Sequence, residues 1–353
     1  MKLTHEAKIY PTQRQRLVLE LLLEDCRLFY NRVLEAKINT YKETGVNIHR
    51  FELQKMFKGR NNPVPAVTRQ VLIYRIDLAF KRFFTKKSSF PRFKSVNRMR
   101  SIELSSGYGF VGGKLSTFRP IGHLKMRGFR KAEKYGMARL VKKSSGWYFQ
   151  YGVEVTAKRA KIVKKKIGID LGLNYFVADS NGNTTKAPKF LRVAHEKLSE
   201  AQVLLSRAVR GSNRRSRKRQ IVARQHERVA NKRKDWLHKL SFQYTRKYDL
   251  IAVEDLDIKQ MMGNHRLARS IGDASWGIFV GMLAYKMQIL GRKLVKVDPA
   301  YTSQDCNKCG ERVKKSLSTR THECKCGYVV DRDLNAALNI LKKAQQGPTV
   351  QTV

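Results

Sequence analysis

The chain has 353 residues, long enough for two or three domains with cores of their own, and 29% of them are charged. Lys and Arg exceed Asp and Glu by 73 to 28, a formal net charge of +45 that self-repels in a compact fold unless a polyanion is bound. That excess favours nucleic acid over an anionic membrane surface, since each neutralised phosphate releases a condensed counterion; no apolar run spans a bilayer, and MKLTHEAKIYPTQ lacks a signal peptide's apolar segment, so a soluble intracellular protein is expected.

Residues 2–10 (KLTHEAKIY) read as a short strand. Thr12 and Gln15 then form a T-x-x-Q capping box that opens a helix through about residue 42, with Leu17, Leu21, Leu28 and Leu34, together with Phe29 and Tyr30, as its apolar face and Gly45 as its stop. Cys26 lies inside this helix and reads as an inert buried thiol. Helices are expected at 51–58 and at 66–87, where VTRQVLIYRIDLAFKRFF has 3.6-residue periodicity. From about 101 to 157 short alternating runs broken by Gly predict an antiparallel sheet or small barrel. Its Arg and Lys interleave with Tyr, Phe and Trp, which suits phosphate contact and base stacking, although an ordinary half-solvated sheet has the same texture.

The second half begins with KKIGIDLGLNYFVADSNGN, which reads as strand, bend, strand and an Asn-Gly turn. A long basic helical stretch follows through about 248, and Arg214, Arg215, Arg217, Lys218 and Arg219 in it are candidate nucleic-acid contacts. YDLIAVEDL predicts a buried strand, WGIFVGMLAYKMQILG a helix over 276–291, and RKLVKVDPAYTS a further strand at its start. The tail QQGPTVQTV is expected to be disordered.

Three acids occupy unusual places: Asp170 ends the apolar run IGID, Glu254 ends LIAVE, and Asp333 opens the C-terminal helix. Acids are seldom enclosed without a partner. If the two strands are neighbours and the helix crosses them, three carboxylates converge, and their repulsion calls for a divalent cation between them. Oxygen donors select Mg²⁺ or Mn²⁺, and two such ions suit phosphodiester hydrolysis. Asp331 competes with Asp333, but it precedes the helix and fits the N-cap, which leaves Asp333 as the expected ligand. The stripe Leu334, Ala337, Leu338 and Leu341 should face the core, Ala336 and Ala337 should let the helix approach closely, and Asn335 could bond a carboxylate or the backbone.

Of five cysteines, Cys306 and Cys309 form a C-x2-C knuckle and Cys324 and Cys326 a C-x-C pair, a set that resembles a zinc ribbon with one structural Zn²⁺. The second knuckle is one residue short of the usual spacing, so His322 is an alternative fourth ligand.

GIDLGLNYFVADSNG, IAVEDL, LARSIGDASWG, VDPAYTSQDCNKCG and CGYVVDRDLNAALNI, in that order and with FKRFF…FPRFKS upstream, resemble the TnpB (OrfB) family of insertion sequences, relatives of the type V CRISPR nucleases. The resemblance implies an α+β multidomain fold. A wedge-type β-barrel (1–10 and 96–160) would be interrupted by a helical recognition region (11–95). A RuvC/RNase H-like α/β nuclease (161–303 and 329–345) would carry a zinc-ribbon insertion (304–328), ahead of the tail at 346–353. It further implies an RNA-guided DNA endonuclease that binds a noncoding guide RNA, recognises a short transposon-adjacent motif and cuts double-stranded DNA. Asp170, Glu254 and Asp333 would be the catalytic triad with two Mg²⁺ (or Mn²⁺), in a monomer with one RNA in the bacterial or archaeal cytoplasm near the nucleoid. A repressor that binds without cutting, or a transposase or accessory protein, are the alternatives; retention of all three acids favours cleavage over the repressor.

Overall fold

In the computed structural model, which describes residues 1–59, 62–96, 98–157, 160–316, 319–346 and 351–352, the chain divides into two units, Met1–Val155 and Thr156–Val353. The first opens with β1 (Lys2–Tyr10). After Pro11 the expected capping box starts α1 (Gln13–Thr44): the Gln15 N–H donates to Thr12 Oγ1 at 3.3 Å and the Thr12 N–H to Gln15 Oε1 at 3.0 Å. Gly45 closes the helix at φ 68°, donating its N–H to the Tyr41 carbonyl.

The buried face of α1 corrects the expected one. Leu17, Leu21 and Leu28 are exposed, while Leu19, Leu23, Cys26, Tyr30, Val33 and Leu34 are buried, so Leu34, Phe29 and Tyr30 remain from the expected set. In LVLELLL, leucines sit at adjacent helical phases, and the face that wins is the one turned toward the core of this unit. Cys26 is fully buried and its thiol is pushed up to about 12 by desolvation, with Asp25 and Glu103 adding to it, as an inert core thiol should be.

Next come α2 (Arg50–Met56) and α3 (Ala66–Phe84), each slightly shorter than expected. The strands β2 (Ser101–Leu104), β3 (Gly109–Val111), β4 (Lys114–Ser116), β5 (His123–Arg127), β6 (Tyr135–Lys143) and β7 (Gly146–Glu154) complete the unit. They form one antiparallel sheet in the order β2-β6-β7-β1-β5-β4-β3. β1 lies in its interior, with Leu3 opposite Val153 and Ile9 opposite Trp147, so α1 to α3 are an insertion between the first strand and the other six. The order has two ends, β2 and β3, so its ladder does not close into a complete barrel. Trp147, Phe149 and Tyr151 are buried, which makes these three aromatics core residues rather than a stacking surface.

The second unit contains β8 (Lys166–Asp170), β9 (Val177–Asp179), β10 (Thr184–Thr185), α4 (Phe190–Val193), α5 (His195–Ser206) and the basic α6 (Asn213–Lys247). It continues with β11 (Leu250–Glu254), α7 (Ile258–Met262), α8 (His265–Ala274), α9 (Trp276–Ile289), β12 (Lys293–Val297), β13 (Thr321–Glu323), β14 (Val329–Asp331), α10 (Arg332–Gln345) and β15 (Gln351–Thr352). The sheet order is β10-β9-β8-β11-β12-β15, with β8, β11 and β12 parallel and β9 antiparallel to β8. The tail expectation is corrected at Gln351 and Thr352, which pair with the open edge of β12; residues 347–350 and 353 lie outside the described residues. Among the described residues, no helix is long and apolar enough to cross a membrane.

The two faces of this sheet differ in side-chain size. Ile167, Ile169, Ile251 and Val253 point into a core that includes Leu237 and Leu240 of α6 and Phe279 and Leu283 of α9. The alternate positions on β8 and β11 are Gly168 and Ala252, and α10 packs on that face. A Cβ on Gly168 would stand 2.1 Å from the Ala337 carbonyl oxygen and 2.9 Å from the Leu341 Cβ. The buried residues of α10 are Asn335, Ala336, Ala337, Asn339, Ile340 and Ala344; of the expected stripe only Ala337 is among them, and Leu334, Leu338 and Leu341 are half-buried. The small residues win the central row because a leucine there would hold the helix off the sheet.

Gly168→Ala is therefore expected to destabilise the chain by about 3 kcal/mol. Urea unfolding checks this, and a change within about 0.5 kcal/mol, the range of neutral surface substitutions, would contradict the close approach.

Candidate metal centres

Asp170 and Glu254 end β8 and β11, whose register pairs Ile169 with Val253 one residue earlier. Side chains alternate along a strand, so Asp170 shares the face of Gly168, and Glu254 that of Ala252, the face covered by α10. Asp333 sits in the first turn of α10. The structure thus brings the three predicted acids to one end of the sheet. The Asp170 carboxyl is pushed well above the usual range, first by desolvation and then by the charges of Glu254 and Asp333. Desolvation also raises Glu254, against a hydrogen bond from Thr302, and raises Asp333, with Asp331 adding to it and Arg320 and Arg332 opposing it. Arg320 Nη1 lies 3.8 Å from Asp333 Oδ2. Among the described residues these three carboxylates do not share the 4.8 Å mutual spacing of the thiol group below.

Asp331 has the other role expected of it. Its Oδ1 accepts the N–H of Asp333 at 2.8 Å and of Leu334 at 3.1 Å, so it caps α10 and frees Asp333.

Sequence reasoning missed two residues beside this site. Thr302 Oγ1 donates to Glu254 Oε1 at 2.5 Å, and the buried Asn339 donates Nδ2 to the carbonyls of Thr302 at 2.8 Å and Asp305 at 2.7 Å. Asn335, left open between carboxylate and backbone, takes the backbone: its Nδ2 donates to the Asp305 carbonyl at 2.8 Å, and its Oδ1 accepts the Asn307 N–H at 3.1 Å. The signal was present as two asparagines at i, i+4 inside a row of Ala and Ile.

All four sulfurs of Cys306, Cys309, Cys324 and Cys326 lie within 4.8 Å of one another, with Cys306 to Cys326 at 3.8 Å and Cys309 to Cys324 at 3.5 Å. A tetrahedral zinc with bonds of about 2.3 Å sets its thiolates about 3.8 Å apart, so the group fits that ion. The short C-x-C pair still supplies both thiols, and its turn is one residue tighter than the first: the Gly310 N–H donates to the Cys306 carbonyl four residues back at 2.8 Å, the Gly327 N–H to the Cys324 carbonyl three residues back at 3.0 Å, each glycine at positive φ. His322, the alternative ligand, is buried on β13 with its Nδ1 against Lys315 Nζ and lies outside the four-thiol group. Burial would raise the Cys306 thiol, but the backbone N–H groups of Cys309 and Lys308 and the His322 ring outweigh it and bring it down to about 6. The Cys309 thiol is instead shifted up, and the Cys324 thiol, against the Cys326 backbone N–H, is pushed up to about 12 by burial and the neighbouring thiols.

The basic run opens α6, with Ser212 capping it through the Arg215 N–H. Arg214, Arg217 and Arg219 are exposed and Lys218 half-buried. Arg215 differs, since its guanidinium donates to the carbonyls of Leu205 at 3.0 Å and Ala208 at 2.7 Å and so holds the turn into the helix.

Comparison with known proteins gives three family matches: a Cas12f1-like TNB domain over residues 276–340, a family described as "Probable transposase" and labelled OrfB of IS605 over 148–265, and an associated helix-turn-helix domain over 1–45. A Streptomyces pristinaespiralis protein named as a candidate RNA-guided DNA endonuclease is 32% identical, over 97% of this chain and 89% of its own. An Escherichia coli K12 protein, InsQ, with the same naming is 28% identical over 78% of this chain and 74% of its own. A TnpB-like protein of Acanthamoeba polyphaga mimivirus is 24% identical over 96% and 72%. Among solved structures, Cas12f1 in complex with single-guide RNA and target DNA superposes with a TM-score of 0.59 at 14% identity, over 96% of this chain and 84% of that one, a likeness of fold.

Asp331→Ala should cost about 1 kcal/mol of stability through loss of the cap, whereas Asp333→Ala, which removes a charge from a crowded site, should cost less or stabilise. Urea titration of the two metal-free variants checks the order, and the reverse order would refute this division of roles.

Proposed function

This chain belongs to the TnpB (OrfB) family, and from that membership we propose that it is an RNA-guided DNA endonuclease of an insertion sequence, cutting double-stranded DNA beside a short transposon-adjacent motif. The observation that carries the proposal is the meeting of Asp170, Glu254 and Asp333 where two parallel strands end under one helix, the arrangement a RuvC-type, RNase H-like site requires. The three carboxylates would hold two Mg²⁺ or Mn²⁺ ions, for which all-oxygen donors are suited. When bound, such ions supply the Lewis acidity that phosphodiester hydrolysis needs. Thr302 fixes the rotamer of Glu254, and the Asp331 cap fixes the first turn that carries Asp333. A scissile phosphate would meet these acids only through the cations, so the acids do not repel it directly.

The rest of the chain binds polyanions. A net charge of +45 matches a guide RNA and a DNA duplex together, with the chain acting as a monomer on one RNA. On α6, Arg214, Arg217, Lys218 and Arg219 would track phosphates, and Arg215 would hold their helix in place. The sheet at 1–10 and 96–160 would serve as the wedge region and the helices at 11–95 as the recognition region. Cys306, Cys309, Cys324 and Cys326 would hold one structural Zn²⁺ at 304–328 within the nuclease part.

Asp170→Ala should abolish Mg²⁺-dependent cleavage of a guide-matched duplex while leaving duplex binding within about twofold, which an electrophoretic shift run beside the cleavage assay would show; cutting retained by the variant would refute the triad. Metal analysis of the purified chain should find about one zinc per polypeptide, lost with Cys306→Ser, and zinc-free native protein would refute the ribbon.

A further inference from the structure

Two asparagines of α10 bond the loop that runs from β12 into the first cysteine knuckle at five points. Asn339 uses both donors of its amide, on the Thr302 and Asp305 carbonyls at 2.8 and 2.7 Å, and its Oδ1 accepts from Asn307 Nδ2 at 3.0 Å. Asn335 repeats this one turn earlier with the Asp305 carbonyl at 2.8 Å and the Asn307 N–H at 3.1 Å. Asp305 and Asn307 flank Cys306, and Thr302 hands the connection on to Glu254 through its hydroxyl. Asn335 and Thr302 are almost wholly enclosed, at 0% and 4% exposure, and Asn339 reaches only 7%. A buried amide with every polar atom matched has one workable orientation, because any other leaves donors unpaired.

We propose that Thr302 and Asn339 are positioning residues that hold Glu254 in register with Asp333, so that the first cysteine knuckle and the carboxylate site form one hydrogen-bonded unit. The proposal rests on the metal-site reading given under Proposed function. Asp333 and Asn339 lie on the same helix, six residues apart, so a helix seated by Asn339 also sets where Asp333 points. The loop can then place Thr302 against Glu254 in only one way. Neither residue touches substrate in this role; each acts through a carboxylate.

Mn²⁺ binding to the full-length chain, read by water-proton relaxation and independent of cleavage, tests this. The sites present in the wild type and absent from Asp170→Asn define the carboxylate centre. Thr302→Val keeps the shape and removes the donor, so it should weaken Mn²⁺ at that centre about tenfold or more, the scale of a lost hydrogen bond to a charged group. Thr302→Ser restores the hydroxyl and should stay within about threefold of wild type. Asn339→Leu should weaken the same sites while the zinc content stays at about one per chain. If Thr302→Val binds like wild type, or if Val and Ser weaken Mn²⁺ equally, the hydroxyl has no positioning role and the proposal fails. If instead Asp170→Asn titrates like wild type, the carboxylate centre itself is misassigned, which overturns the underlying reading as well.

Discussion

The close seating of α10 on β8 and β11 is the constraint on which the rest of the second unit depends. Gly168 has no room for even a methyl group against the Ala337 carbonyl, and Ala336 and Ala337 present the matching small surface. A larger residue on either side would lift the helix, and Asp333 would leave the strand ends that carry Asp170 and Glu254. The same seating brings Asn335 and Asn339 within hydrogen-bond reach of the loop ahead of the cysteine knuckle. One packing decision thus serves the acids and the thiols together.

The electrostatics follow from that geometry. In a chain of net charge +45, an exposed carboxylate would meet a favourable field, yet the carboxyls of Asp170, Glu254 and Asp333 are all shifted upward, with desolvation the leading cause in each. Local enclosure therefore outweighs the global surplus, because screening and distance weaken the far charges while desolvation acts on the group itself. The fold keeps three mutually repelling acids at one end of the sheet, an arrangement that costs stability in the metal-free chain. It is a polar site held together by its frame: the Asp331 cap, the Thr302 hydroxyl and the paired asparagines.

Much of this was legible in the sequence where a residue has one local job. The Thr12 and Gln15 box, the Gly45 stop, the strand-ending acids and the Asp331 cap each follow from chemistry within four residues, and each stands as expected. The readings that failed concerned which way an element faces. Leu17, Leu21 and Leu28 read as the inner side of α1, but they are exposed and its buried row is rotated away from them; in α10 the expected stripe is half right, with Ala337 buried, Leu341 against Gly168, and Leu334, Leu338 and Leu341 only half-buried. A leucine-rich helix offers more apolar surface than one neighbour can cover, so composition leaves the phase open. In the sheet of the first unit the interleaved aromatics suited base stacking, with an ordinary half-solvated sheet as the alternative, and Trp147, Phe149 and Tyr151 went to the core.

The sequence by itself determined the chemical inventory: a strongly basic chain, three acids at element ends and four cysteines in two turns, because charge, caps and knuckle spacing are properties of short segments. Only the tertiary structure decided how these parts connect. It gave both thiols of the short C-x-C knuckle to the cluster in place of His322, turned Arg215 inward to hold a loop, and linked Asn339, Thr302 and Glu254 across residues far apart in the chain. Those links depend on how closely a helix can approach a sheet, which is set by the absence of a side chain at Gly168 and by the small residues facing it, and that fit exists only once the two surfaces meet.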